Sequence, residues 1–186
     1  MASKIAVSAG HNPKAQGAEF QGVTEYAVTT KYMNSLAKYL GAAAVIIPTG
    51  PLTQKISAIN KSGASIALEV HFNAGGTVGK ATGTETLYCP GSKRGAALAE
   101  KVNNAIVSAV PGIKNRGIKE AWYQMDRPGV VDYKGDVDGD EKVDAFVGNT
   151  KPVSLIIEPF FIWELEAMEN YREAICKAIA DVLLAA

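Results

Sequence analysis

The segment SIALEVHF, residues 65–72, combines an apolar run typical of a buried β-strand with a histidine at the point where that run ends. Two other segments follow the same pattern. Residues 4–9, KIAVSA, are followed closely by His11, and the run VSLII at 153–157 is followed directly by Glu158. These segments predict three strands, each of which ends next to a side chain that can bind a metal or transfer a proton.

Amphipathic helices are predicted between these strands. Apolar spacing indicates a helix over 24–40, with Thr24 as its N-cap and Gly41 at its end. The remaining predicted helices cover 51–62, 93–110 and 164–185, and shorter strands are predicted at 43–48, 84–89 and 121–125. Helices that alternate with apolar strands are typical of the α/β class. We therefore expect one α/β domain over 1–186, with a twisted, mostly parallel sheet flanked by helices on both faces.

Length and charge restrict the class of protein. The chain has 186 residues, of which 47% are hydrophobic, and its 19 basic residues balance 19 acidic ones. The length fits one compact domain, and the balanced charge argues against a nucleic-acid partner. No segment approaches the roughly 20 apolar residues of a membrane span. The apolar stretch near the amino end is too short for the central region of a signal peptide, so synthesis in the cytoplasm and exit by another route are expected.

The placement of the chain's two histidines indicates a site. In open α/β sheets, sites form beyond the carboxyl ends of the strands, where His11 and His71 are expected. A catalytic zinc ion takes three protein ligands and leaves one position for water. The early position of Glu25 in its helix favours it as the third ligand. Glu158 is the candidate base, because partial desolvation on an apolar strand raises the pKa of a carboxyl group.

Each residue also has a simpler structural interpretation. His11 or His71 alone is typical of a hydrogen-bonded structural histidine. Glu25 alone is a carboxylate at a helix start, where it interacts with the helix dipole. Glu158 alone would pair with a lysine. Only their joint placement favours zinc hydrolysis.

Six motifs, taken in order, resemble the zinc-dependent N-acetylmuramoyl-L-alanine amidases (amidase type 3), a family that includes cell-wall amidases and many phage endolysins. The resemblance covers nearly the whole chain, and the ordered set is specific. The motifs are GHN at 10–12, GVTEY at 22–26, LEVHFNAGG at 68–76, GTETLYC at 83–89, KNRGIK at 114–119 and KPVSLIIEPFF at 151–161.

The resemblance implies roles for four residues. The family's zinc ligands correspond to His11, Glu25 and His71, and its catalytic glutamate corresponds to Glu158. The implied reaction is hydrolysis of the amide that joins N-acetylmuramic acid to L-alanine, so peptidoglycan is the expected substrate. A phage or prophage endolysin that reaches the cell wall after release is the expected setting, and a bacterial autolysin is the alternative.

Residues 128–150 form a longer excursion than the family usually has. Asp136, Asp138, Asp140 and Asp144 have the spacing of the first oxygen ligands in a calcium-binding loop. Against a Ca²⁺ site, a glutamate occupies the turn position that favours glycine, and no acid stands where the bidentate ligand is expected. A solvated acidic loop is the favoured interpretation.

Two rival functions remain open. A zinc peptidase that cuts within the stem peptide would use the same ligands, and a non-catalytic wall-binding module would retain the metal site. No separate cell-wall-binding domain is expected in the chain, so wall binding would depend on the catalytic domain itself.

Two charged groups have open interpretations. Glu69 lies two positions before His71 and shares its strand face, so it either orients that histidine or forms an ion pair. Lys114, Arg116 and Lys119 form either a basic rim for an acidic stem peptide or a solvated loop.

Overall fold

The computed structural model describes residues 3–122 and 143–186. Within them the chain forms eight strands and five α-helices. The strands are β1 (Ile5–Ala9), β2 (Glu19–Phe20), β3 (Val23–Thr24), β4 (Ala44–Ile46), β5 (Ile66–Val70), β6 (Thr84–Tyr88), β7 (Asn115–Glu120) and β8 (Val153–Glu158). The helices are α1 (Glu25–Leu40), α2 (Leu52–Lys61), α3 (Lys93–Ala109), α4 (Ala145–Asn149) and α5 (Leu165–Leu184), and a 3₁₀ turn covers Gly41–Ala43.

Six strands form one sheet, in the order β4-β1-β5-β8-β6-β7. Every neighbouring pair is parallel except β6 and β8, which are antiparallel. β2 and β3 pair separately as a short antiparallel hairpin. The expectation of a mostly parallel α/β sheet is confirmed.

Helices cover both faces of the sheet because alternate strand residues point to opposite sides. Ile5 and Val7 of β1 belong to the core shared with α1, α3 and α5. Ala6, between them, belongs to the smaller core that includes Ile59 of α2 and Phe146 of α4. The two layers place the carboxyl ends of β1, β5 and β8 at one open edge.

The structure places a strand where a basic loop was expected, just before the predicted strand at 121–125. β7 occupies Asn115–Glu120, within a segment whose basic residues indicated a loop. β7 is an edge strand, which pairs with one neighbour only. Its sequence contains no apolar run, so it lacks the pattern by which the other strands were predicted. Most of the predicted strand, and most of the excursion at 128–150, lies in 123–142, outside the described residues.

None of the helices within 3–122 and 143–186 has both the length and the apolar character that crossing a bilayer requires.

Candidate metal centre

Three strands end side by side at the open edge. Their last paired row consists of Ala9 in β1, Val70 in β5 and Ile157 in β8. His71 and Glu158 directly follow this row, and His11 follows β1 by two residues. Parallel pairing therefore brings together side chains that are distant in sequence, as the sequence predicted.

A tight turn after β1 directs His11 toward the other candidate ligands. His11 itself has a φ of 64°, in the left-handed region that non-glycine residues rarely adopt. A Cβ atom on Gly10 would lie 2.6 Å from the carbonyl oxygen of Val70 and 2.7 Å from Nε2 of His71. Only glycine therefore allows β1 to approach β5 this closely at its end.

Glu25 is fixed at the first position of α1. Thr24 is the N-cap, as predicted, and its hydroxyl accepts a hydrogen bond from the Ala27 amide. One carboxylate oxygen of Glu25, Oε1, accepts from the Phe72 amide, and the other, Oε2, accepts from the Ala18 amide. These backbone donors hold the buried carboxylate in one orientation.

The two imidazoles lie on either side of this carboxylate. Nε2 of His11 is 3.0 Å from Oε2 of Glu25, and Nδ1 of His71 is 3.1 Å from Oε1. One ligand atom from each of the three residues can be chosen so that all three lie within 4.8 Å of one another. The structure thus assembles the two histidines and one carboxylate that the sequence proposed for a metal.

This donor set fits zinc. Two imidazoles and one carboxylate are a known catalytic zinc set, and a tetrahedral site with bonds of about 2.0–2.1 Å has edges of about 3.3 Å. The nitrogen–oxygen distances of 3.0 and 3.1 Å run to the two different oxygens of Glu25, and one ligand atom from each residue gives a set within 4.8 Å. The three residues could therefore hold zinc once their side chains draw closer together, and their role as ligands remains a prediction.

Without a metal, the cluster is stabilised by its own charges. Burial alone would raise the pKa of Glu25, but the hydrogen bonds to His11 and His71 outweigh it and hold that pKa well below its ordinary value. Burial opposes a charged ring at His71, yet hydrogen bonds to Glu25 and Glu69 raise the pKa of His71 to about 10. Protonated His71 therefore supplies positive charge where a cation would bind.

Glu158 lies at the end of β8 beside these residues and is only 4% exposed. It lines the same cavity of about 880 Å³ as His11, Glu25 and His71. This burial agrees with the partial desolvation that was expected for Glu158 from its apolar strand. The catalytic role of Glu158 remains a prediction.

Sequence reasoning missed Lys55, which lies in α2 under the site. Its ammonium is 2.6 Å from a carboxylate oxygen of Glu69, and both side chains are 4% exposed. The signal was present in the sequence, because Lys55 lies one helical turn before the buried Ile59, on the apolar face of α2. A lysine on such a face indicates a buried partner.

Glu85 on β6 forms ion pairs with two nearby basic side chains. This fully buried carboxylate is 2.5 Å from Nε of Arg116 and 2.6 Å from Nζ of Lys119, and it accepts a hydrogen bond of 2.7 Å from the Asn73 side chain. Arg116 and Lys119 are therefore partly exposed ion-pair partners of Glu85 on a strand, whereas Lys114 is exposed.

Asp144 caps the short helix α4. One of its carboxylate oxygens accepts hydrogen bonds from the Phe146 and Val147 amides, and burial raises its pKa. The other proposed calcium ligands, Asp136, Asp138 and Asp140, lie outside the described residues. The Ca²⁺ hypothesis is therefore untested, and nothing in the described part of the chain supports it.

The family model of N-acetylmuramoyl-L-alanine amidases matches residues 5–185. The chain belongs to this family. The match covers all the strands, α-helices and site residues described above, and it confirms the resemblance seen in the ordered motifs. No curated protein matches the chain.

Solved structures of amidases share the fold. An N-acetylmuramoyl-L-alanine amidase from Clostridium difficile has 20% identity and a TM-score of 0.79, with 100% of this chain and 97% of that chain covered. The catalytic domain of an endolysin targeting Clostridia difficile has 24% identity and a TM-score of 0.68, with 98% and 97% covered. A putative N-acetylmuramoyl-L-alanine amidase from Neisseria meningitidis has 26% identity and a TM-score of 0.68, with 98% and 94% covered.

Proposed function

We propose that this member of the amidase family is a zinc-dependent enzyme that hydrolyses the amide between N-acetylmuramic acid and L-alanine in peptidoglycan. The observation that carries the proposal is the convergence of His11, Glu25 and His71, whose candidate ligand atoms lie within 4.8 Å of one another. Glu158 lines the same cavity. Family membership supplies the substrate class.

The chemistry divides between the metal and the chain. Zinc, when bound here, would polarise the amide carbonyl and make a water molecule easier to deprotonate. Glu158 accepts the proton of the attacking water and delivers it to the nitrogen of L-alanine as the carbon–nitrogen bond breaks. His11, Glu25 and His71 would hold the cation in place.

The cavity suits a peptide joined to a sugar. Its volume of about 880 Å³ falls within the range of pockets that hold small ligands. Its lining includes the apolar residues Leu52, Phe146 and Ile156 as well as Asn12 and Asn73, whose side chains are amides. Such a mixture can pack against apolar atoms of a stem peptide while binding its amide groups.

Product analysis tests the bond that is cut. Purified peptidoglycan is digested and its new amino ends are identified by mass spectrometry. Free amino groups on L-alanine are the expected result. New ends within the stem peptide would instead establish the peptidase, and wall retention without any product would establish the binding module.

Metal dependence is tested on the same assay. Chelation should abolish product formation, and added zinc should restore it. Undiminished turnover by protein that metal analysis shows to be free of zinc would contradict the proposal.

A pair of variants separates the two roles in the site. Glu158→Gln should lower turnover by about 10²–10⁴-fold and retain zinc, because it removes a proton acceptor and no ligand. His11→Ala should lose zinc as well as activity. Full activity in Glu158→Gln would rule out this residue as the base.

We also propose that residues 1–186 act as the catalytic domain of a phage or prophage endolysin that reaches the wall after release. The fold shared with an endolysin catalytic domain supports this setting. Production inside bacteria should cause lysis only when a membrane-permeabilising protein is produced too. Lysis without that second protein would favour an autolysin with its own route to the wall.

A further inference from the structure

Lys55 connects the ends of the two strands that carry the histidines. Its ammonium donates one hydrogen bond of 2.9 Å to the carbonyl oxygen of Ala9, the last residue of β1. It donates a second, of 2.6 Å, to Oε2 of Glu69 on β5. Ala9 lies two residues before His11, and Glu69 lies two residues before His71. One buried cation therefore joins the chain segments that deliver both imidazoles.

Glu69 is held so that one oxygen faces His71. Its Oε2 accepts from the Ser8 hydroxyl at 2.7 Å as well as from Lys55. Its Oε1 is 3.0 Å from Nε2 of His71. With Oε2 fixed by two donors, the carboxylate cannot rotate without losing both bonds.

The His71 ring consequently lies between two carboxylates. Nε2 faces Glu69, and Nδ1 faces Glu25 at 3.1 Å, on the side of the candidate metal cluster. A carboxylate on the far nitrogen of a ligating histidine fixes the ring orientation and leaves the near nitrogen free for the metal.

We infer that Lys55 and Glu69 are positioning residues for the metal centre. Lys55 fixes Glu69, which orients His71 with Nδ1 toward the cluster. The hydrogen bond from Lys55 to Ala9 holds the strand end that precedes His11. This inference rests on the zinc dependence proposed above. It resolves the two interpretations of Glu69, because the ion pair and the contact with the histidine use different oxygens of one carboxylate.

A role limited to stability predicts a different result. Buried ion pairs contribute little net stability compared with apolar packing, and removal of one partner destabilises a fold wherever the pair lies. Loss of metal affinity in protein that remains folded therefore separates a positioning role from a structural one.

The test measures zinc binding directly. Zinc affinity is measured by competition with a chromophoric chelator, well below the melting temperature of each protein. The proteins compared are wild type, Lys55→Met, Glu69→Gln and the double variant. Each single variant should bind zinc about 10–100-fold more weakly. The absorption spectrum of the cobalt(II)-loaded protein should also change, because it reports ligand geometry independently of activity.

The double variant tests whether the two residues act together. The double variant should bind zinc no more than about threefold more weakly than the weaker of the two single variants, since Lys55 acts largely through Glu69. Val102→Ala is the matched control, because Val102 is fully buried in α3 on the other face of the sheet. It should lower the melting temperature and leave zinc affinity unchanged.

Distinct outcomes identify which proposal fails. Zinc affinities of Lys55→Met and Glu69→Gln within twofold of wild type would overturn the inference, as would full additivity in the double variant. Failure of the wild type itself to bind zinc would overturn the proposed function instead. If Lys55→Met does not fold, Ser8→Ala takes its place in the test. This substitution removes another hydrogen-bond donor to Glu69 with little change in side-chain volume. It should weaken zinc binding several-fold, and unchanged binding there would also overturn the inference.

Discussion

Oε1 of Glu25 lies 3.1 Å from Nδ1 of His71, although the two residues are 46 positions apart in the chain. This contact joins the first turn of α1 to the end of β5. It also places a buried negative charge against a histidine whose pKa is raised to about 10. The metal-free site thus contains a proton that a metal ion must displace.

Zinc binding is therefore expected to release a proton from His71. At pH 7.5 a ring with a pKa of about 10 is protonated, whereas a ligating imidazole is neutral. Titration calorimetry in buffers of different ionisation enthalpy counts the protons released. The wild type should release at least about one proton per zinc bound at pH 7.5. Zinc binding without proton release would contradict a protonated His71.

The stability of the metal-free protein should depend on pH in the alkaline range. The folded state raises the pKa of His71 from 6.5 to about 10, so it binds a proton more tightly than the unfolded chain does. This contribution is fully present below pH 6.5 and is lost as pH rises through 10. Chemical denaturation with chelator present should show the free energy of unfolding falling by a few kcal/mol over that range. The fall should be smaller in His71→Asn.

Gly17→Ala should weaken zinc binding. A Cβ atom at Gly17 would lie 2.5 Å from Nε2 of His11 and 2.7 Å from Oε2 of Glu25, so both candidate ligands must move. An affinity loss of about tenfold or more is expected. Gly22→Ala is the control, because Gly22 has a φ of 77° compared with 75° at Gly17, and a Cβ atom there meets nothing within 4 Å. Both variants should lose roughly 1–2 kcal/mol of stability through backbone strain. An equal loss of zinc affinity in both would show that strain, and not displacement of the ligands, is the cause.

Glu85→Ala should destabilise the fold strongly. It leaves Arg116 and Lys119 facing each other without their carboxylate and removes a partner of Asn73. The free energy of unfolding should fall by about 3 kcal/mol. This value is at the lower end of the range for removal of one partner of a buried ion pair, because both cations retain contact with solvent.

The control for this prediction is Glu169→Ala. Glu169 also pairs with two cations, Lys31 and Arg172, but its side chain is 55% exposed. Its removal should lower the free energy of unfolding by less than about 1 kcal/mol. Similar losses in the two variants, measured by denaturant titration, would contradict a special role for the buried carboxylate.

The sequence predicted the arrangement of the site because parallel pairing is regular. Once the runs before His11, His71 and Glu158 are assigned as strands of one parallel sheet, their ends must share an edge. The helix signal at Thr24 likewise placed Glu25 at a helix start. These inferences need only periodicity and the position of each run's end.

Other parts of the structure depend on contacts that periodicity does not contain. The charged residues of β7 are accommodated through Glu85, which lies on the neighbouring strand β6 and far away in sequence. Lys55 is buried because the partners on β1 and β5 meet above α2. The four longer helices, α1, α2, α3 and α5, were predicted from apolar spacing. The helix α4 was not, because its five residues after the Asp144 cap are too few for a hydrophobic pattern to develop.

The reversed direction of β6 has a consequence for how members of this family can diverge. Because β6 runs antiparallel to β8, its first residues begin at the edge where β8 ends, with Glu85 opposite Glu158. The connection from His71 to β6 therefore stays at that edge and never has to traverse a helical layer. Insertions and substitutions within 74–80 can reshape the rim while both layers of packing remain intact, which makes this connection a natural place for selectivity toward different bacterial walls to evolve.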